Sequence, residues 1–459
     1  MKLSGISSIL DIAKTALSAS QAELDTTSHN IANANTDGYT RQRVMAQAIQ
    51  PIQTTYGYLG SGVDVKAVER VRDAFVDEQT RNLNSDLSKS TIYQQAMTQV
   101  ESIFNETAGN GLSTQLTALF NAFQTLSQTP EDMGVRQTVM QTGVQVATSF
   151  NMLNSKLKNL QYQVGLQVSD EVRKINEQAA TIAKLNSQIL ANATAFKDAP
   201  DLKDQMDSAI DQLSKMINVK VTVDANGITN ISAGGTVLVA AGTAYALSVS
   251  HTSNGITVTP YDSNESLTLT SGELYGLLDV YNSKISQYSS RLDEIANALV
   301  QTLNSFHSTG YTLSIGGAPS ETGKTFFQGN TAGSIQISPD ILASLNNIAA
   351  SSNGDPGSGD NASAIANVLN APVMSDGTSI IKAYEGLIGQ VGLDSQNANS
   401  NMNMLQVAYN QMNTFRQSIS GVSIDEELAN MIQYQHSFEA AAKVVSTVDQ
   451  MYQSIINMV

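Results

Sequence analysis

The chain has 459 residues, no cysteine and a net charge of −16 at pH 7, and charged residues make up only 14% of it, against about 25% in ordinary soluble proteins. The negative charge argues against nucleic acid and other phosphate-rich partners, and the lack of cysteine excludes disulfides and cysteine-bound metals. No apolar run approaches the ~18 residues of a membrane span. We therefore expect no membrane insertion and, if the protein leaves the cell, no Sec-type leader.

The N-terminal segment carries a helical seam of apolar and small side chains. The seam positions recur at intervals of four and three residues, which is typical of a coiled-coil stripe. We predict one helix that ends near Ile31, with the leucines at the centre of its seam. The seam positions are Ile6, Leu10, Ala13, Leu17, Ser20, Leu24, Thr27 and Ile31.

Turn-forming residues follow this helix, and residues 36–72 then form an extended, glycine-punctuated segment. We predict that this segment is a spoke between two regions. Gly38 is expected at a turn where a Cβ would cause strain, and Arg41 is expected to contact carboxylates. The amides between Asn30 and Asn35 have two open interpretations, since they would either cap the helix and shape the turn or hydrogen-bond across subunits.

Helical periodicity dominates most of the remaining chain. Residues 73–200, 273–310 and 379–421 are predicted to form an elongated helical bundle. Within residues 201–272 the apolar period changes to two, from VKVTV through to SLTLT, which predicts a small β-rich outer domain. Residues 311–378 are predicted to be a mixed loop and strand segment packed on the bundle.

The last segment of the chain predicts a second seamed helix. Ser423 is the expected N-cap, with Glu426 completing a capping box. We predict that residues 1–35 and 422–459 pair as a coiled coil, so that the fold is mainly α with a β insert and a β-rich tip. Because a lone seam returns little of the ordering entropy, we expect both ends to be loose until neighbouring copies cover them. The seam consists of Ile424, Met431, Phe438, Val445, Tyr452 and Val459, with Tyr434, Ala441, Val448 and Ile455 as a second row.

Two predicted loops contain residues that could bind phosphate or a cation. The segment from Ala318 to Thr325 matches a relaxed phosphate-loop pattern with Lys324 as its lysine. A phosphate loop needs a helix directly after the lysine, and the glycine-containing sequence that follows here favours an ordinary loop. Asp355 and Asp360 could touch a cation, but their surroundings favour a solvated loop. We expect no catalytic residue, no cofactor and no metal site, since the histidines also lie far apart.

The segment LDTTSHNIANANTDGYTRQRV resembles the N-terminal signature of bacterial flagellar axial proteins, the family of rod, hook and hook-associated subunits. The C-terminal segment GVSIDEELANMIQYQHSFEAAAKVVSTVDQMYQSIIN resembles the second signature of that family. The triplet Thr40-Arg41-Gln42, with interior stretches such as LKDQMDSAIDQLSKMINVKVTV, resembles the hook-associated members. The resemblance implies an assembly role for the axial signature, namely Asn30, Ile31, Ala32, Asn33, Asn35, Thr36, Gly38, Tyr39, Arg41 and Gln42.

The resemblance implies a structural subunit without enzymatic activity, which joins the hook to the filament by polymerising through its terminal helices. The implied partners are further copies of the chain, the hook subunit, the next hook-associated junction subunit and the filament. An export chaperone on the C-terminal helix is also implied. The implied location is outside the cell, in the flagellum at the hook–filament junction, after type III export.

Four alternatives stay open on the sequence alone. In the first, the chain is a different axial subunit, such as a hook or distal-rod protein; its long helices argue against this, because those proteins have a β-rich middle. In the second, the chain is an enzyme that hydrolyses nucleotides with Lys324. In the third, it is a secreted coiled-coil adhesin, which does not require the axial signature. In the fourth, both terminal seams are buried in the core of an ordinary monomer.

Overall fold

The computed structural model describes residues 4–54, 57–105, 111–195, 199–224, 227–253, 255–262, 265–314 and 319–457. A π-helical turn, Val280–Lys284, joins α6 to α7. Within the described ranges, no helix combines the length and the apolar character needed to cross a membrane. The helices are α1 (Ser4–Ala32), α2 (Ala74–Phe104), α3 (Leu112–Gln128), α4 (Met133–Ala195), α5 (Pro200–Met216), α6 (Glu273–Asp279), α7 (Ile285–Thr309), α8 (Pro339–Ala343), α9 (Asp360–Ala366), α10 (Ile380–Ser420) and α11 (Ile424–Ile456).

The described strands form small antiparallel sheets. Strand β1 pairs with β4, β2 with β3, β9 with β10, and β11 with β12, while β5 to β8 form one four-stranded sheet in chain order. The prediction of a mainly α-helical chain with a β insert is therefore confirmed. The strands are β1 (Gln42–Ala48), β2 (Ile52–Thr54), β3 (Gly57–Leu59), β4 (Val63–Arg70), β5 (Val219–Val223), β6 (Thr229–Ala233), β7 (Thr236–Ala240), β8 (Thr243–Ala244), β9 (Leu247–Thr252), β10 (Gly255–Pro260), β11 (Phe327–Gln328) and β12 (Gln336–Ile337).

Long helices build the bundle. Helix α4 has 63 residues, which corresponds to about 95 Å at the usual rise of an α-helix. Helix α2 packs along α10, and α4 packs against α3, α5 and α7. Helix α2 begins at Asp73, whose carboxylate accepts hydrogen bonds from the amides of Phe75 and Val76 and so caps the first turn. The apolar side chains of these helices form one continuous core.

The β insert lies against α4. Strands β7, β8 and β9 all contact that helix, and α5 links it to β5. One strand prediction is wrong, because residues 266–270 (SLTLT) form no strand. Their backbone is used in single hydrogen bonds instead, from Leu267 to the carbonyl of Val258 and from Thr268 to that of Gly234. The segment therefore bridges β10 and the β6–β7 turn rather than pairing along either strand.

The mixed segment after α7 is anchored to the bundle by two buried polar side chains. Arg136 of α4 donates to the carbonyls of Ile348 and Leu345 at 2.7 and 3.1 Å. His307 of α7 contacts the carbonyl of Lys324 through Nδ1 at 2.8 Å, and its Nε2 accepts from the amide of Ala349 at 3.1 Å. This second bond requires a neutral ring with the proton on Nδ1. Burial lowers the pKa of His307 to about 4, consistent with that neutral state.

The two ends of the chain meet. Helices α1 and α11 pack together in antiparallel orientation, with the end of α1 beside the start of α11. The β1–β4 ladder of the spoke lies along α1, and the amide of Val63 reaches the Thr15 hydroxyl. Gly62 has a φ of +103° and lies against Thr15 and Ile12, so a Cβ there would meet α1. The spoke therefore returns along the first helix rather than pointing away from it.

Candidate assembly site

The predicted seams of the terminal helices face each other. On α1, every predicted seam position is buried or half-buried, including Leu10, Leu17 and Leu24. On α11, Ala441 and Val448 are buried, which makes them the centre of the contact. Other seam positions along the same helix are half-buried, namely Met431, Tyr434, Phe438, Val445 and Tyr452.

Two predicted seam residues lie outside this contact. Ile424 is 45% exposed and Ile455 is 36% exposed, and Val459 lies outside the described residues. Asn30, near the end of α1, already reaches Glu427. Because the helices are antiparallel, Ile424 lies beyond the end of α1 and has no helical residue opposite. Ile455 lies at the other end of the pair, near the last residue of α11. At these two positions the structure shows no burial against α1, and their place in the seam stays a prediction.

The predicted capping box is also wrong. Ser423 occupies the N-cap position of α11, but its side chain makes no capping hydrogen bond. Glu426 turns to the spoke instead, where its Oε2 lies 3.1 Å from Nη1 of Arg41. A guanidinium carries a full positive charge and therefore attracts a carboxylate more strongly than an uncharged backbone amide does. Arg41 therefore takes the carboxylate that the box would have used, as expected for a spoke arginine that contacts carboxylates.

Asn30 lies at the centre of the axial signature. It is 1% exposed. Its Nδ2 donates to the carbonyl of Gln42 at 2.9 Å and to Oε2 of Glu427 at 3.1 Å. Its Oδ1 accepts from the Gln42 amide at 2.9 Å and from the Tyr39 hydroxyl at 2.8 Å. One side chain thus joins the end of α1, the start of β1 and the start of α11.

Glu427 is the buried charge of this site. It is 2% exposed, and its Oε1 lies 2.8 Å from Nε of Arg41. A buried carboxylate without partners would be costly, and the arginine and Asn30 supply them here. Burial, together with the charges of Asp201, Asp204 and Glu427, raises the pKa of Tyr39. Its hydroxyl therefore stays protonated and donates to Asn30.

The other signature residues shape the turn between α1 and β1. Asn33 caps α1, since its Nδ2 donates to the carbonyl of His29 at 3.0 Å and its Oδ1 accepts from Thr36 at 3.2 Å. Gly38 has a φ of +77°, which glycine adopts without strain. Ile31 is half-buried, whereas Ala32 and Asn35 are exposed. The amides of Asn30 and Asn33 are thus both used within the chain.

The attachment of this turn to the bundle was not predicted from the sequence. The amide of Thr40 donates to Asp204 of α5 at 3.0 Å, and Nε2 of Gln42 donates to Asp201 at 2.9 Å. The amide of Arg41 donates to the carbonyl of Ser420 at the end of α10. Residues 39–42 with Asn30, Asp201, Asp204 and Glu427 therefore form one joint between the terminal helices and the bundle, which we call the axial joint.

A second missed feature adjoins the axial joint. Asp207 is its centre and accepts from Arg70, Arg72 and Arg81 at 2.7, 2.5 and 2.9 Å. Burial raises the pKa of Asp207, but the three guanidinium groups outweigh this and hold it below the usual range. The cluster ties the spoke to α2, α5 and α10 through charge. We call it the arginine–aspartate cluster, and it contains Arg70, Arg72, Arg81, Arg416, Asp204, Asp207 and Asp211.

Helix α11 keeps a large apolar surface outside its contact with α1. Val444, Met451 and Ile455 recur on one side of the seam, at intervals of seven and four residues. Each is at least 36% exposed. Large exposed apolar surfaces are typical of sites that meet other molecules. Further exposed apolar side chains on α10 and α11 are Met404, Val407, Phe415, Ile424, Leu428, Ile432 and Ile456.

The described residues of the two candidate chemical loops are held in other contacts. After Lys324 and Thr325 the chain continues into β11 rather than a helix, so no helix N-terminus is available for phosphate; Ala318 lies outside the described residues. The carboxylate of Asp360 accepts from Ser352, Ser358 and the Asn361 amide, which satisfies it within its own loop. In the described part of the chain, no cluster of three metal-binding side chains occurs.

Three family profiles match separate parts of the chain. The family profile "Flagellar hook-associated protein FlgK helical domain" matches residues 97–327. The profiles "Flagella basal body rod protein" and "Flagellar basal body rod FlgEFG protein C-terminal" match residues 10–40 and 416–458. The first of these segments contains the axial signature up to Tyr39, and the second contains the whole of α11.

Relatives cover the chain from end to end. Flagellar hook-associated protein 1 of Bacillus subtilis is 34% identical over 98% of this chain and 97% of its own length. The protein of that name from Escherichia coli is 26% identical over 99% and 100%. The solved structure of the flagellar hook junction protein FlgK from Burkholderia pseudomallei has the same fold, with a TM-score of 0.64, at 16% identity over 75% of this chain and 100% of that one. The chain therefore belongs to the flagellar hook-associated protein 1 family, and it is a structural component of the flagellar axis rather than an enzyme.

Proposed function

We propose that this chain joins the hook to the filament and that it polymerises through its terminal helices. The observation that carries the proposal is the uneven burial of α11. Ala441 and Val448 face α1 and are buried, while Val444, Met451 and Ile455 stay exposed beside them. Neighbouring copies that covered this second stripe would remove its apolar surface from water, which is favourable by about 25 cal/mol per Å².

The proposal assigns one role to each part of the chain. The paired ends, residues 1–35 and 422–459, line the axis and set the helical lattice. The spoke, residues 36–72, connects them to the bundle of residues 73–200, 273–310 and 379–421. The β-rich segment 201–272 faces solvent, and residues 311–378 brace the bundle. The described contacts of α5 with α2 and α4 support moving the inner limit of the β-rich part to about residue 219.

The proposal also assigns partners and a location. Copies of the chain contact one another around the axis, with the hook subunit below and the next junction subunit and filament above. The location is outside the cell, after type III export. An export chaperone would bind the C-terminal helix, because the exposed apolar stripe of α11 needs a cover before assembly.

Substitutions on the outer stripe of α11 test this proposal. Val444→Asp and Met451→Asp put charge on the stripe and leave the buried seam with α1 intact. Ser446→Asp is the matched control, since Ser446 is an exposed residue of the same helix and lies on the face opposite the seam. Each variant is expressed in cells that lack the native copy, and filaments are counted by electron microscopy.

Cells without the protein are expected to carry hooks without filaments. The Ser446→Asp variant should restore filaments, and the two stripe variants should not. Circular dichroism of each purified variant should match that of the native chain. Restoration of filaments by both stripe variants would show that the outer stripe carries no lattice contact, and the proposal would fail.

A further inference from the structure

One hydrogen-bonding device recurs five times among the described residues, and the axial signature contains one example. In each case a helical asparagine bonds both the N–H and the C=O group of a single strand residue. We call this device an asparagine clamp. The five clamps are Asn30 on Gln42, Asn176 on Leu247, Asn186 on Thr229, Asn282 on Ile256 and Asn304 on Phe327.

The clamps share one geometry. The asparagine Nδ2 lies 2.7–2.9 Å from the strand carbonyl, and the strand amide lies 2.7–3.1 Å from Oδ1. A primary amide carries both a donor and an acceptor, so it replaces the backbone of a neighbouring strand. Polar groups at a strand end are thereby satisfied where they would otherwise be buried without partners. Aspartate has the same shape but cannot donate when ionised.

Four of the five clamps lie away from the terminal helices. Asn176 and Asn186 of α4 hold β9 and β6, Asn282 holds β10, and Asn304 of α7 holds β11. Each of these attaches a strand to a helix inside the molecule. Asn30 repeats the same arrangement between α1 and β1, which indicates the same purpose.

The side-chain amide of Asn30 has no hydrogen-bonding position free for a second copy of the chain. Both hydrogens on Nδ2 are used, by the Gln42 carbonyl and by Glu427. Both acceptor positions of Oδ1 are used, by the Gln42 amide and by the Tyr39 hydroxyl. An amide makes at most four such bonds. The side chain is therefore saturated within its own chain.

We propose that Asn30 and Glu427 are positioning residues for assembly: together they fix the start of the spoke to both terminal helices, so that every copy presents its helices at one angle to its bundle. The inference rests on the proposed function for the assembly step. The angle is set at Gln42, whose backbone is held by Asn30 and whose side chain is held by Asp201 of the bundle. Subunits with different angles would not share one lattice.

Moving the negative charge from Glu427 to position 30 tests the inference. Asn30→Asp keeps the acceptor but puts a carboxylate against Glu427 and against the Gln42 carbonyl. Adding Glu427→Gln supplies a donor amide, so the double variant restores the Asn30–Glu427 bond with donor and acceptor exchanged. Asn176→Asp is the matched control, because it breaks an asparagine clamp that does not touch the axial joint.

Two measurements are made on the full-length variants. The first is hydrogen exchange of the purified chain, followed by mass spectrometry of peptides covering residues 40–48 and 424–430. The second is the count of filaments in cells that lack the native copy. Asn30→Asp should speed exchange at least tenfold in both peptides, with α3 and α7 unchanged, and should abolish filaments. The double variant should recover slow exchange in residues 424–430 and a measurable share of filaments.

The control should speed exchange in β9 and leave filaments intact. The inference is overturned if Asn30→Asp abolishes filaments without changing exchange in either peptide, since Asn30 would then be a lattice contact. It is also overturned if both peptides of the native chain exchange as fast as an unfolded chain, or if the double variant shows no recovery in either measurement. Failure of the stripe variants of α11 to affect filaments would refute the proposed polymerisation surface and leave the exchange result standing.

Discussion

The bundle and the terminal helix pair differ in how completely they bury their apolar side chains. In α3 of the bundle, Leu116, Leu119 and Phe123 are all 0% exposed. In α11, which is almost twice as long, Ala441 and Val448 are the only buried apolar residues of the described helix. The bundle therefore closes its own core, whereas the terminal pair has a contact on one side and open surface on the others. Stability of the subunit should depend on the bundle, and assembly should depend on the ends.

The largest effect on stability is expected inside the bundle. Phe123→Ala removes a fully buried ring that stacks edge-on against Phe326, so the free energy of unfolding should fall by about 3–5 kcal/mol. The matched change at the terminal pair is Phe438→Ala, which should cost less than about 1.5 kcal/mol because that side chain is only half-buried. Urea denaturation of both variants measures the difference, and equal losses would contradict the contrast between the two regions.

The next effect is a pH dependence that also belongs to the bundle. The pKa of His307 falls from 6.5 to about 4 on burial, so between these values the unfolded chain binds a proton that the folded chain does not. The free energy of unfolding should therefore fall as pH drops from 6.5 to 4, by about 3 kcal/mol in all. Glu273, whose pKa is raised to about 7 chiefly by burial and by Glu171, acts in the opposite sense.

The difference between the native chain and a His307→Gln variant isolates the histidine. Measured by urea denaturation at several pH values, that difference should shrink steadily as pH falls through the window. His436 is the control, because its side chain is 77% exposed on α11, and His436→Gln should leave the profile unchanged. A His307→Gln difference that stays constant with pH would refute the assignment of a neutral buried ring.

A smaller effect is expected where the two regions meet. Asp207→Asn removes the charge that three arginines share in the arginine–aspartate cluster. Loss of one partner of a buried ion pair costs 3–5 kcal/mol, but Asp207 is one-fifth exposed, so about 2 kcal/mol is expected. The exposed pair of Lys66 with Asp64 provides a control, Asp64→Asn, that should cost less than ~1 kcal/mol. Thermal unfolding of both variants measures the two losses of stability.

The smallest effect on the free subunit is expected on the outer stripe of α11. Met451→Ala changes a side chain that is 47% exposed, so the free energy of unfolding of the monomer should move by no more than about 0.5 kcal/mol. Assembled structures that contain the variant should nevertheless dissociate at lower temperature than native ones, because the methionine is covered there. Equal dissociation temperatures would mean that this stripe stays uncovered in the assembly.

Periodic features of this fold were predictable from the sequence, because they record which side chains touch. The four-and-three spacing in α1 identified positions that are all buried or half-buried, and the change to a period of two identified most strands of the insert. The exposure of Ile424 was not predictable, since a repeat in one helix does not reveal where its partner helix ends. The strand predicted at residues 266–270 has the right alternation but pairs along neither neighbouring strand.

The polar contacts were much harder to predict. Asn30 and Glu427 are 397 positions apart in the chain, and no spacing rule connects them. The asparagine clamps likewise pair a helix residue with the backbone of a distant strand. Because every residue has the same backbone groups, the sequence does not indicate which strand residue is held. The arginine–aspartate cluster did leave a trace, because Asp204, Asp207 and Asp211 recur at three and four residues and so share one face of α5.

The antiparallel pairing of α1 with α11 brings the two ends of the intervening chain together. Ser4 and Ile456 lie at one end of the pair, and everything between residues 33 and 423 is one excursion that starts and finishes at the other end. Lengthening the excursion in an exposed loop adds material without changing the contact between α1 and α11. The architecture is thus suited to carrying foreign cargo, such as an enzyme or an antigen spliced into such a loop, with the paired helices unaltered.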